Sequence, residues 1–192
     1  MSEDDAPPTT KDKVRSIALA LLAAGGLFFA SFAHAWAVDP ISGHTGYGLR
    51  ARQDCDSAGC RVTPFIALKA PVATDPGAPS STLRAFGWAT AIASWVAAGG
   101  LLLSALLVAI GKLIVRPMAP TTIALLGLVV AMISGCVFVA QAREIGTVGW
   151  NFWVFGAAVV VGIVGAQGLA RFKPSDPFWD NPPTATDDLD KW

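Results

Sequence analysis

Charge is scarce in this sequence. Asp, Glu, Lys and Arg make up 15% of the 192 residues, against roughly a quarter in a soluble domain whose surface must be wetted. Fourteen basic residues cancel fourteen acidic ones, so no net field draws the chain to nucleic acid or an anionic surface. Histidine occurs twice and cysteine three times, and neither supplies a metal-spaced cluster. Axial haem ligation needs imidazoles that face each other inside a bundle. His34 falls in the last turns of a predicted helix and His44 in a loop, which argues against it. No Gly-rich phosphate loop and no Ser-His-Asp set is visible. The expectation is therefore a chain with no cofactor, no metal and no enzymatic activity.

What the sequence has instead is apolar length. Hydrophobic residues make up 53% of it, and four runs are long enough for a 30 Å hydrocarbon core, which takes about 20 helical residues. They are Ser16 to Val38, Phe86 to Ile110, Thr121 to Gln141 and Gly149 to Ala170, and none contains Asp, Glu, Lys or Arg. The predicted fold class is an all-α membrane protein, a four-transmembrane-helix bundle with a small extracytoplasmic β-hairpin or sheet in its first external loop. An alternative concerns the first run. Ala33-His34-Ala35 after an apolar stretch, with Lys11, Lys13 and Arg15 before it, resembles a signal peptide. Cleavage after Ala35 would leave three spans.

Basic residues near helix ends set the predicted orientation. Lys11, Lys13 and Arg15 precede the first run, and nothing basic follows it until Arg50. Lys112 and Arg116 lie between the second and third runs, while Arg171 and Lys173 follow the fourth. Arg84 and Arg143 dissent. The balance puts both termini in the cytoplasm, leaving residues 39–85 and 142–148 outside. Residues 1–15 read as a disordered leader, 111–120 as a cytoplasmic link, and 171–192 as a largely unstructured Pro- and Asp-rich tail. Trp179 and Trp192 in that tail read as interfacial residues or as a short partner-binding peptide. Abundant Ala and Gly with sparse Lys and Asn fit GC-rich coding, hence a bacterial inner membrane.

The first external loop carries the local pattern of a hairpin. Tyr47 to Cys55 alternates like a half-buried strand. Asp56-Ser57-Ala58-Gly59 is turn chemistry, and Cys60 to Ile66 can return antiparallel. Cys55 and Cys60 would then form a cross-strand disulfide, as an oxidising compartment allows. So short a ring contributes about 2 kcal/mol on the chain-entropy model. Ala70 to Ser81 reads as a linker. Cys136, inside the third run, reads as a buried small apolar residue.

Small residues recur at four-residue spacing. Gly127, Ala131 and Gly135 do so on the third run; Ala158, Gly162 and Ala166 do so on the fourth. Such rows let helix backbones approach closely, within the bundle or against a lateral partner. Ser94, Ser104, Ser134 and Gln167 are expected to form interhelical hydrogen bonds. Trp36, Trp88, Trp150 and Trp153 fall near the outer interface as an aromatic belt that anchors depth.

Taken together these motifs resemble the claudin and peripheral-myelin-protein superfamily. Trp36 stands where that family has a Trp at the end of helix one, and Gly48-Leu49 begins its Gly-Leu-Trp. Cys55 and Cys60 match its loop cysteines. Cys60-Arg61-Val62 looks like Cys-Lys-Val, Thr82-Leu83-Arg84-Ala85 is similar to its Thr-Arg-Ala before helix two, and Gly149-Trp150-Asn151-Phe152 to the aromatic start of helix four. The resemblance implies a structural role for Arg84 at the loop–helix junction. Two departures stand out: Arg50 replaces the second Trp, and the cysteines are unusually close.

The function these features predict is non-enzymatic. The chain would be an auxiliary subunit or a self-associating, claudin-like element, acting through its external loop and helix faces. Its partners would be the lipid bilayer and another membrane protein or itself, with no nucleic acid. The rival is an extracytoplasmic thiol-disulfide oxidoreductase using Cys55 and Cys60, although such enzymes pass electrons through two external pairs. A third reading is a solute- or lipid-handling protein with a cavity between helices.

Overall fold

A computed structural model describes residues 9–39, 44–66, 80–111 and 120–172. Four helices dominate it: α1 (Thr10–Phe32), α2 (Ser81–Ala109), α3 (Pro120–Ala142) and α4 (Trp150–Ala170). All four are long and apolar enough to cross a membrane. Five short strands accompany them: β1 (Ala37–Val38), β2 (Thr45–Tyr47), β3 (Ala51–Asp56), β4 (Gly59–Pro64) and β5 (Thr147–Val148).

The helix bounds differ from the apolar runs because caps, not hydropathy, start and stop a helix. Thr9 and Asp12 form a reciprocal capping box: the Thr9 hydroxyl accepts from the Asp12 amide, and the Asp12 carboxylate accepts from the Thr9 amide. α1 therefore begins at Thr10, so residues 10–15 are helix where a disordered leader was expected from the sequence. It ends at Phe32, six residues before the apolar run does, because Ala33 turns extended and Ala37–Val38 joins the sheet. His34 lies beyond the helix rather than in its last turns. The Ser80 hydroxyl caps α2 through the Leu83 amide, which starts that helix five residues ahead of Phe86. The leader before Thr9, most of the Ala70–Ser81 linker, the link with Lys112 and Arg116, and the tail with Trp179 and Trp192 lie outside the described residues.

α2 packs most extensively on α3, and α1 on α4. Contacts of α1 with α2 and of α3 with α4 close the ring. Large apolar side chains lie both inside the bundle, where Leu27, Leu101, Leu128, Phe138 and Phe155 are fully buried, and on its outward faces. Inside with them lie Ala20, Ala23, Ala97, Ala124, Ala131 and Ala166, all fully buried, while Leu22, Phe28, Leu106, Leu126, Ile133 and Val160 point outward and are exposed. The predicted small-residue rows face this interior. A Cβ on Gly127 would stand 2.9 Å from the Ala97 amide nitrogen, and one on Gly162 would touch Leu128 and Ala23. Ala131, Ala158 and Ala166 are buried, and Gly135 sits against Phe155.

The polar side chains within the helices mostly bond to their own backbone. Ser94 donates to Thr90 O and Ser104 to Gly100 O, four residues back, which satisfies a buried hydroxyl without any neighbour. Interhelical bonds run instead from Thr90 Oγ1 to Ser134 Oγ at 3.0 Å, and from Trp95 Nε1 to Ser31 Oγ at 2.8 Å. Gln167 is exposed on α4. Cys136 is also exposed rather than buried, because it falls on the outward face between Ser134–Gly135 and Phe138.

Beyond one end of the bundle lies a single antiparallel sheet of order β4-β3-β2-β1-β5. It is larger than a hairpin and draws on both links at that end. β5, from the short link before α4, pairs with β1 in the register Ala37↔Val148 and Val38↔Thr147. The alternating stretch expected as one strand from Tyr47 to Cys55 is broken at Gly48–Arg50, where the chain reverses between β2 and β3.

Candidate functional site at the seam between bundle and sheet

Two hairpin tips of the sheet point to different surroundings. At the β3–β4 tip, Asp56 Oδ1 accepts from the Ala58 and Gly59 amides at 2.8 and 3.1 Å, and Gly59 adopts φ +138°, a conformation that only glycine takes without strain. Directly behind this turn Cys55 and Cys60 are register partners joined by a disulfide. This tip is solvated, and β4 is exposed along most of its length. No described strand pairs with its outer edge. Val62 is exposed there, as is Ile66, 85% exposed, just past the strand.

The β2–β3 tip does the reverse and inserts into the bundle. The Gly48 amide donates to Ala51 O at 2.9 Å, closing a turn whose central residues are Leu49 and Arg50. Leu49 is completely buried. Both flanking contacts need glycine for close approach. A Cβ at Gly48 would lie 2.6 Å from Ala33 O, and one at Gly87 on α2 would collide with Leu49 O. Gly48 and Leu49 thus hold the sheet against the ends of α1 and α2.

Arg50 follows them into the same groove. Its Cζ lies 4.2 Å from the centroid of the Phe32 ring, 5.2 Å from Trp95 and 5.9 Å from Trp88. These rings lie on α1 and α2, and Trp95 is fixed by its bond to Ser31. The guanidinium Nε is buried and has no hydrogen-bond partner, while the residue as a whole is partly exposed. Among the described residues the salt bridge is Arg52–Asp54; Arg50 has none. Burial, and after it the Arg50 charge, holds the His34 imidazole below its ordinary pKa.

Trp36 occupies the centre of the seam. Expected in an aromatic belt, it is instead wholly buried. Its ring meets Phe138 edge-on at 5.8 Å, Phe155 at 5.0 Å and Phe152 at 6.2 Å. Its indole nitrogen donates to Ala30 O at 2.7 Å. Its backbone ties three segments: Trp36 N donates to Tyr47 O, and Trp36 O accepts from Gly149 N at the start of α4. Trp150 and Trp153 do face outward, Trp153 being 70% exposed, and Trp88 is half-buried.

Arg84 reaches across the other side of the seam, with Nη1 3.5 Å from Phe65 O. The Phe65 amide in turn donates to Arg50 O at 2.8 Å. The structure thus gathers Trp36, Gly48, Leu49 and Arg84 at one seam. It leaves Cys55 and Cys60 at the distal tip, and the small-residue rows inside the bundle. The aromatic cage around Arg50 was missed by sequence reasoning, because Phe32, Trp88 and Trp95 come from two helices 56 or more positions apart in the chain. The available signal was the resemblance noted from the sequence, in which Arg50 would replace a Trp. Compared with known proteins, the chain matches no protein-family model, and no curated protein is significantly similar to it in sequence.

Proposed function

We propose that the protein spans a bacterial inner membrane four times, with both termini cytoplasmic. In this reading it acts without catalysis, as an auxiliary subunit or self-associating, claudin-like element. The observation that carries the reading is the apolar outer surface of the four helices. Leucines, phenylalanines and β-branched residues exposed on the outside, with small residues at the contacts between helices, suit a solvent as apolar as those side chains, in which helices associate by close backbone contact. Water would favour a polar outer surface.

Support for the claudin-like part comes from the seam. Trp36, Gly48, Leu49 and Arg84 each make a contact that accounts for the residue type at that position, and the sheet engages both external links. Support for action through association comes from β4. It is an outermost strand among the described residues, with Val62 and Ile66 exposed, and such edges are ready templates for another chain.

The test is purification of the full chain in mild detergent after crosslinking in native membranes. A homo-oligomer or a stoichiometric membrane partner, lost in Val62→Lys, is the expected result. A lone monomer that crosslinks to nothing refutes the association. Orientation is read separately with an impermeant thiol reagent after reduction: labelling of Cys55 and Cys60 in intact cells is expected, and labelling only in lysed cells inverts the topology.

A further inference from the structure

We propose that Arg50 and its aromatic surround bind the phosphate of a phospholipid headgroup in the leaflet on the sheet side. The inference rests on the membrane-spanning reading above.

Three observations lead to it. First, the cation is held in place without being neutralised: Phe32 and Trp95 lie against it at 4.2 and 5.2 Å, yet no carboxylate among the described residues pairs with it. Aromatic faces attract a guanidinium, but they leave its hydrogen-bond donors unfilled. Arginine carries five such donors in a planar fork that matches two phosphate oxygens at once. Its buried Nε is already orphaned inside the protein, so the partly exposed remainder of the fork is what a ligand can reach.

Second, the depth is right. Phe32 is the last residue of α1 and Arg50 stacks on it, so the charge lies level with the end of that helix. Phe32 is 44% exposed on the outside of the bundle. A ligand arriving there comes laterally from the membrane, with acyl chains running down beside outward residues such as Phe28 and Phe29.

Third, the cage is built before any ligand arrives. The Trp95 indole is locked by Ser31 at 2.8 Å, and the Arg50 backbone is held by the Phe65 amide. A preorganised site of this kind loses little conformational freedom on binding.

The experiment measures thermal unfolding and native mass spectra of the delipidated full chain in dodecyl maltoside. Added compounds are phosphatidylglycerol, phosphatidylethanolamine, diacylglycerol of the same acyl composition, or millimolar inorganic phosphate. Both phospholipids are expected to raise the melting temperature and to remain bound, with diacylglycerol and free phosphate without effect. Arg50→Gln should weaken retention at least tenfold, and Arg50→Lys, which keeps charge but loses the fork, should fall between. Equal effects of diacylglycerol and phospholipid overturn the proposal, and so does undiminished retention in Arg50→Gln. An equal effect of inorganic phosphate overturns the lipid assignment in favour of a soluble anion. If Arg50→Gln does not fold, the wild-type comparison of phospholipid with diacylglycerol decides alone. Failure of the membrane reading looks different: the chain would then leave membranes in an alkaline carbonate wash, whatever lipid it retains.

Discussion

The indole nitrogen of Trp36 donates to the carbonyl of Ala30 at 2.7 Å. Ala30 is one of the last residues of α1, whose final carbonyls have no partner further along the helix. A side chain from beyond the helix thus closes its end, while the ring fills the space between α3 and α4. Trp36→Phe keeps most of the volume and strands a buried carbonyl, which costs about 1–3 kcal/mol. Trp36→Ala also opens a cavity and should cost about 3–5 kcal/mol. Thermal unfolding in detergent reads both. Equal, negligible losses would mean that Trp36 is an interfacial anchor after all.

Glycine substitutions separate seam from surface. Gly48→Ala drives a methyl against Ala33 O, and overpacking of this kind costs about 1–3 kcal/mol. Gly25 lies mid-helix in α1, and a methyl there would meet no other atom within 4 Å. Gly25→Ala should therefore be neutral or stabilise by up to about 1 kcal/mol. Melting temperatures that move in opposite directions are the expected outcome.

Loss of the disulfide should be a local event. The double change Cys55→Ser and Cys60→Ser removes a six-residue ring and about 2 kcal/mol on the chain-entropy model. The seam is built from other residues, so the helical circular dichroism should be unchanged. A thiol-oxidation assay on wild type and variant tests the oxidoreductase alternative: activity that vanishes with the cysteines would support it over the non-enzymatic reading.

His34 gives stability a pH dependence. Its pKa is lowered in the folded chain, by burial first and by Arg50 second, so the unfolded chain binds the proton more readily. Stability is therefore complete above about pH 6.5, the unfolded histidine value, and declines as pH falls below it. The melting temperature should drop as pH falls below about 6.5, and His34→Gln should flatten that decline. An unchanged slope in the variant would assign the effect elsewhere.

The four apolar helices and the disulfide hairpin were legible because each is a local pattern: hydropathy over some twenty residues, or two cysteines around a turn. Helix ends were less so, since Thr9 and Asp12 start α1 within a polar stretch and Ala33 ends it within an apolar one. β1 and β5 have two residues each and are defined by their partners, β5 by β1 and β1 by both β2 and β5, so no periodicity announces them. Trp36 read as interfacial because its polar handle suits an interface; nothing in its neighbours reveals that Ala30 takes that handle. The faces of Cys136 and Gln167 depend on which helices lie beside them, which spacing alone does not specify.

Pairing of β1 with β5 also orders events during synthesis. Val38 waits for Thr147, 109 residues later, and translation at about 5–20 residues per second makes that roughly 5–20 s. Until then β1 presents a bare row of amides and carbonyls on the side that β5 will cover. The nascent protein therefore passes through a stage in which an assembly factor, or a neighbouring copy, can occupy a position that the finished molecule reserves for itself.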